Sequence, residues 1–333
     1  MNVPNEQVNL TPPNFLVILR AGFDAAANHI YLILFPAAAD LFLWLGPHLH
    51  LKTLLGDMYR QVQSNLASLP PDLAAQASLW TDPENAQMLK AAQTFVIERF
   101  NLMIFLRTFP VGIPSFMSGK YPIGTPIGSY PAFDLSDPIQ IIGLWLAVSI
   151  VGLVLGIFYY QVTAQAALNG KVDWVEALRR WPAQALSALG LGMLLVVSIL
   201  AGFVPFFCLA LVSLGSLAMI SFVLYSGLLL VIAYPFVFIG HAIAADNASL
   251  VQAVRSGFRL ARMTMPMTSL FFLIVFLITR ALEWLWAAPA EDSWLTLIAI
   301  VGHAFVTTGL LAATFLYYRS AGRWLQQVLR VLA

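Results

Sequence analysis

Residues 186–240 run for 55 positions without a charged side chain. A helix needs about 20 mainly apolar residues to cross a bilayer, so this stretch is too long for one crossing and long enough for two. Pro205 and the pair Phe206-Phe207 mark the expected division. The same criterion along the rest of the chain gives six spans: 30–45, 138–163, 186–208, 213–240, 267–286 and 295–318. The first is the shortest and carries Asp40. The second opens with Asp137 before Pro138, an N-cap followed by proline at the first helical position. The reading is an all-α polytopic integral membrane protein with about six transmembrane helices.

Composition supports that class. Of the 333 residues 60% are apolar and 10% charged, against about 25% charged in soluble domains. A net charge of +1 leaves no strongly basic face, which argues against a nucleic-acid partner. The single cysteine, Cys208, excludes an intrachain disulfide framework and a multi-cysteine metal site. Residues 1–14 lack the basic region and short apolar core of a signal peptide.

Basic residues in short loops orient such a chain. Arg20, Lys171, Arg179, Arg180, Arg255, Arg259, Arg262, Arg319, Arg323 and Arg330 gather on one side. Lys52, Arg60, Lys90, Arg99, Arg107 and Lys120 lie on the other, within one long segment where the rule is weak. Both termini are therefore expected in the cytoplasm, in a prokaryotic cytoplasmic membrane.

An internal repeat divides the chain. Residues 14–23 read NFLVILRAGF, 173–182 read DWVEALRRWP and 249–258 read SLVQAVRSGF. In register, Asn14, Asp173 and Ser249 stand at N-cap positions, and Arg20, Arg179 and Arg255 follow six residues later. Asp173 with Glu176 and Ser249 with Gln252 have capping-box spacing. Three units are expected, each an amphipathic helix followed by a helical hairpin. In the third, Leu250, Val254, Phe258 and Ala261 share one face, with Arg255, Arg259 and Arg262 pointing away. That pattern suits a helix lying among lipid headgroups, with Arg179, Arg180 and these three arginines as headgroup contacts. It suits equally a connector packed on the protein's own spans. Residues 319–333 repeat it as a C-terminal amphipathic tail.

Ala177-Leu178-Arg179-Arg180 and Ala253-Val254-Arg255-Ser256, each placed between spans, resemble the multi-pass membrane domain attached to some glycerophosphodiester phosphodiesterases and its stand-alone relatives of unknown function. The likeness covers about residues 160–318. That family's soluble hydrolase barrel has no room here, and no catalytic residue carries over.

The organisation read from sequence is an N-terminal helix and first span (1–45), an insert (46–137), five spans (138–318) and the tail (319–333). In the insert, 51–66 and 85–109 read as helices separated by Pro70-Pro71, and 111–131 carries two Pro-Ile-Gly copies, at Pro122 and Pro126. Its proline and glycine content forbids regular structure. It is read as an ordered cap over the bundle, or as a docking or gating surface for another membrane protein.

Ionisable groups inside spans are functional candidates because burying them is costly. Asp40, Arg280, Glu283 and His303 fall at overlapping depths and form a candidate polar cluster, with Asp40 and Arg280 expected to pair. Arg280 and Glu283, three apart, have the alternative of pairing on one helix. His241 is expected to face water or headgroups. His48 and His50 share a side of an extended loop, weak evidence for metal. Gly152 and Gly156 form a GxxxG pattern suited to close helix packing. No nucleotide-binding, hydrolase or metalloprotease motif is present, and no cofactor is implied. The expectation is a non-enzymatic structural, assembly or accessory protein engaging lipid and partner proteins. The alternative is a small-solute transporter or channel with a polar cavity near Asp40, Arg280 and His303.

Overall fold

The computed structural model describes residues 12–68, 97–120, 122, 124–213 and 216–332. Among them the chain is helical throughout, apart from a loop-rich insert and two three-residue strands. The longer helices are α1 (Phe15–Asn28), α2 (Leu34–Leu45), α3 (Lys52–Ala67), α4 (Pro138–Asn169), α5 (Trp174–Ser213), α6 (Ser216–Asp246), α7 (Leu250–Met263), α8 (Met265–Trp286) and α9 (Thr296–Leu332), and a single helical turn at Met117–Lys120 interrupts the segment expected to lack regular structure. Five are long and apolar enough to cross a membrane, and six do so if α1 and the segment Ile30–Leu45 count as one broken span. The protein is an all-α polytopic membrane protein.

Local chemistry sets the helix ends. The Asp137 carboxylate accepts from the amide of Ile139 at 3.0 Å, and Pro138 opens α4. Gly170 closes α4 in the left-handed region, at φ +67°, where a side chain would be strained. Asn14 caps α1, and Ser249 and Gln252 form a reciprocal capping box on α7.

Helix α9 is the hub. In its most apolar stretch 67% of residues are buried, against 11% in each of α5 and α8. Buried hydroxyls tie it to its neighbours: Thr308 to Tyr159 of α4 at 2.9 Å, and Tyr317 to Thr268 of α8 at 2.9 Å. Phe271 and Tyr317 stack at 4.2 Å beside the latter bond. His241 is a correction: instead of facing water it is buried, and its ring joins Val237 O and Thr314 Oγ1.

Several boundaries differ from the sequence reading. α1 meets Ile30–Leu45 at 91°, and that segment is a 3₁₀ turn (Ile30–Ile33) followed by only 12 α-helical residues. α5 continues through Pro205 to Ser213 instead of ending near Cys208, and residues 214–215 lie outside the described residues. The second repeat copy is not a separate helix, because Trp174–Ser213 is continuous. The tail is likewise the last turns of α9. The expectation of three separate amphipathic helices therefore fails at the second copy. In α7 the buried residues are Ala253, Gly257, Leu260 and Ala261, while Phe258 is exposed. Gly257 lies so close to Ile239 of α6 that a Cβ would sit 2.9 Å from its side chain. The buried face of α7 thus packs on the protein's own span.

The insert begins with strand β1 (His48–His50), paired in parallel with β2 (Ala132–Asp134). Asp134 caps α3, accepting from the amides of Lys52 and Thr53 and the Thr53 hydroxyl. Burial raises the Asp134 carboxyl, and these three donors outweigh it, leaving its pKa below the usual value. The expected helix over 51–66 is present as α3. Of the helix expected over 85–109, residues 85–96 lie outside the described residues, as do Pro70-Pro71 and Ile123; the remainder is helical at 97–99 and 3₁₀ at Leu102–Leu106, with irregular backbone at 100–101 and 107–109.

Candidate functional site

Residues 101–120 do not cap the bundle; they enter it. Val111, Ile113, Ser115, Phe116 and Met117 are all buried, and Val111 and Ile113 share a core with Ile157, Tyr159 and Phe238. Gly152 lies 14 residues into α4, about 21 Å along a helix of about 48 Å, and a Cβ there would lie 3.0 Å from Thr108 Cγ2. One turn on, a Cβ at Gly156 would lie 2.6 Å from the Cα of Gly112. The GxxxG pattern therefore admits a loop backbone, not a partner helix. Deeper still, Tyr160 donates to the carbonyl of Pro110 at 3.2 Å.

Irregular backbone is tolerated at membrane depth where protein groups satisfy it. Asp40 of α2 does part of this, alongside Thr108, Ser115 and Tyr160. Its Oδ1 accepts from the Ser115 hydroxyl at 2.5 Å and from the Met117 amide at 3.0 Å. The same Ser115 hydroxyl accepts from the Ser118 amide at 3.1 Å. Behind it, His303 Nδ1 of α9 lies 3.5 Å from Asp40 Oδ2, with Phe116 tilted over the imidazole. Asp40 has no exposed surface, and His303 is 3% exposed. Asp40 stands between the serine and the histidine, so the imidazole has no contact with Ser115 Oγ. A nucleophilic triad instead needs the histidine between the serine and the carboxylate.

Of the four cluster candidates, Asp40 and His303 meet; Arg280 and Glu283 do not join them. Arg280 pairs with Glu283 one turn along α8 at 2.7 Å, with its side chain 57% exposed. The expected Asp40–Arg280 contact is thus corrected: the guanidinium has a partner on its own helix, and Asp40 finds hydroxyl and amide donors in the loop. Among the expected headgroup arginines, Arg179, Arg255, Arg259 and Arg262 are exposed, and Arg180 pairs with Glu176. His48 donates from Nε2 to Leu43 O at 3.0 Å, and His50 from Nδ1 to Phe100 O at 2.8 Å, so each ring is engaged by backbone.

In front of the loop, between α2 and α4, lies a lateral groove of about 920 Å³. Leu34, Phe35, Ala38 and Phe42 form one wall, and Ala147, Val151 and Leu155 the other. Tyr31 and Trp174 close the end far from the insert, their rings 5.6 Å apart. The floor is the loop, through Leu106, Arg107, Ile113 and Ser115. Neither Asp40 nor His303 lines it. Arg107 is the feature sequence reading missed, counted there as one of several cations in a long external segment. It is exposed to this groove, and its Nη1 donates to Ser115 O and Ser118 Oγ, each at 3.3 Å. Only the proline-glycine spacing of 109–114, matched to the GxxxG of α4, could have signalled that the loop goes inside. Compared with family models, curated proteins and solved structures, the chain matches none of them.

Proposed function

We propose that the protein is a non-enzymatic accessory protein of a membrane that engages lipid, holding one amphiphile chain in the groove between α2 and α4. The observation that carries this reading is the groove itself: a concave, largely apolar site of about 920 Å³ beside the intramembrane loop, of a size that holds one small amphiphile. The transporter reading is the weaker one, since it needs a polar cavity reaching Asp40 and His303, and the groove is lined by neither. In the same proposal both termini lie in the cytoplasm, in a prokaryotic membrane. The exposed arginines of α5 and α7 then face headgroups, and α3 of the insert is the surface offered to a partner protein. The likeness of 160–318 to the phosphodiesterase-associated membrane domain is retained only as a proposal of kinship.

Native mass spectrometry of the detergent-purified protein tests the groove. The wild type should retain about one acyl-chain lipid per chain. Ala147→Trp and Ala38→Trp, which fill the walls, should lower that retention about tenfold while leaving the unfolding temperature within a few degrees. Equal retention in both folded variants would refute the reading.

A further inference from the structure

Arg107 is the least balanced charge in the membrane-embedded part of the described chain. Its neighbour Leu106 packs at Gly152, near the midpoint of α4, about half a bilayer from either headgroup layer. Arginine cannot discard its proton, and a cation at that depth is costly unless paired. Among the described residues no carboxylate pairs with it. Both of its described hydrogen bonds leave from Nη1. The side-on edge, Nε–H with Nη2–H, has no partner there. That edge is the fork which matches the two oxygens of a carboxylate.

We infer, on the basis of the lipid-holding reading above, that the groove takes a single-chain carboxylate amphiphile: a fatty acid whose carboxylate receives the free side-on edge of Arg107. Three observations select this class over a phospholipid. First, the cation is deep, whereas a phosphodiester headgroup stays at the interface. Second, apart from Arg107 and Ser115, and Tyr31 and Trp174 at the opposite end, the lining is apolar, so glycerol and headgroup polar atoms beside Arg107 would go unpartnered. Third, a carboxyl group can travel through hydrocarbon in its neutral form and ionise beside the guanidinium, releasing its proton to solvent.

Binding of oleate, oleyl alcohol and phosphatidylglycerol to the detergent-purified protein near pH 8 tests this. Wild type should bind oleate at least tenfold more tightly than oleyl alcohol, with phosphatidylglycerol a poor competitor. Arg107→Gln should bring oleate down to the level of the alcohol without changing the alcohol. Ser118→Ala, which removes one Nη1 partner and leaves the side-on edge, should keep the preference. A preference that survives Arg107→Gln, or phosphatidylglycerol competing as well as oleate, would overturn the assignment. Should Arg107→Gln fail to fold, wild type still decides, because equal binding of oleate and oleyl alcohol rejects the carboxylate. If none of the three probes binds and Ala147→Trp changes no lipid retention, the groove reading fails with it.

Discussion

Asp40 holds the intramembrane loop through one carboxylate oxygen, and the consequences of changing it follow from what each substitution leaves unpaired. Asp40→Ala strands the Ser115 hydroxyl and the Met117 amide in a dry interior, about 1–3 kcal/mol for each buried donor. Asp40→Asn keeps an acceptor oxygen for both and should lose less than half as much. Unfolding temperatures in detergent should rank wild type above Asn above Ala; equal losses would mean that the Oδ2 contact with His303, not the Oδ1 acceptor, is what matters. Because Arg280 is paired on its own helix, the exchange Asp40→Arg with Arg280→Asp should be no better folded than the worse single variant. His48 supplies a pH signature outside the spans. Burial, with a smaller opposing contribution from Leu43 O, pushes its pKa down from 6.5 to about 4. The unfolded chain therefore binds the proton more tightly. The stabilisation is complete above pH 6.5 and is lost as pH falls through about 4. In a pH series of melts His48→Gln should flatten that decline, and an unchanged slope would assign it elsewhere.

At the scale of elements, the contact between α4 and the loop rests on the absence of two side chains. Gly156→Leu places atoms where Gly112 now sits, and overpacking of this kind costs about 1–3 kcal/mol or more when backbone must move. Gly143→Leu, at a glycine of the same helix with nothing within 4 Å, is the matched control. The first should lower the unfolding temperature and raise protease cleavage within 101–120; the second should change neither. What the sequence made legible at this scale was whatever a local signal governs. Asp137-Pro138 marks the start of α4, Ser249 with Gln252 marks α7, and uninterrupted apolarity marks α5, α6 and α9. The loop was not legible, because proline and glycine erase the periodicity that reports which side of a segment is buried. The GxxxG pattern signals close approach without naming what approaches. The second repeat copy was misread because its caps are genuine, yet a capped helix can run on into a span. Arg280 was misassigned by matching depth along the membrane while ignoring azimuth around the bundle; its i, i+3 partner was the nearer one.

For the whole molecule, orientation is the open physical quantity, and it sits on the uneven distribution of loop cations. The fold makes its test sharper than the sequence alone allowed. A label in the loop at Ser118 would have been the obvious choice, but that side chain is buried against Ser115. Ser64, exposed on α3, reports the insert side instead, and Ser249, exposed at the start of α7, reports the other. Three helices of spanning length, α4, α5 and α6, separate the two positions, so the positions are expected on opposite sides whatever the status of the broken first span. In a Cys208→Ser background, Ser64→Cys should react with a membrane-impermeant maleimide on intact cells, and Ser249→Cys only after permeabilisation. The reversed pattern would leave the fold untouched and invert the assignment of cytoplasmic termini. Reaction of both from outside would strike deeper, since an odd number of crossings cannot return the chain to the same side. One of the three long helices would then have to lie along the membrane instead of through it.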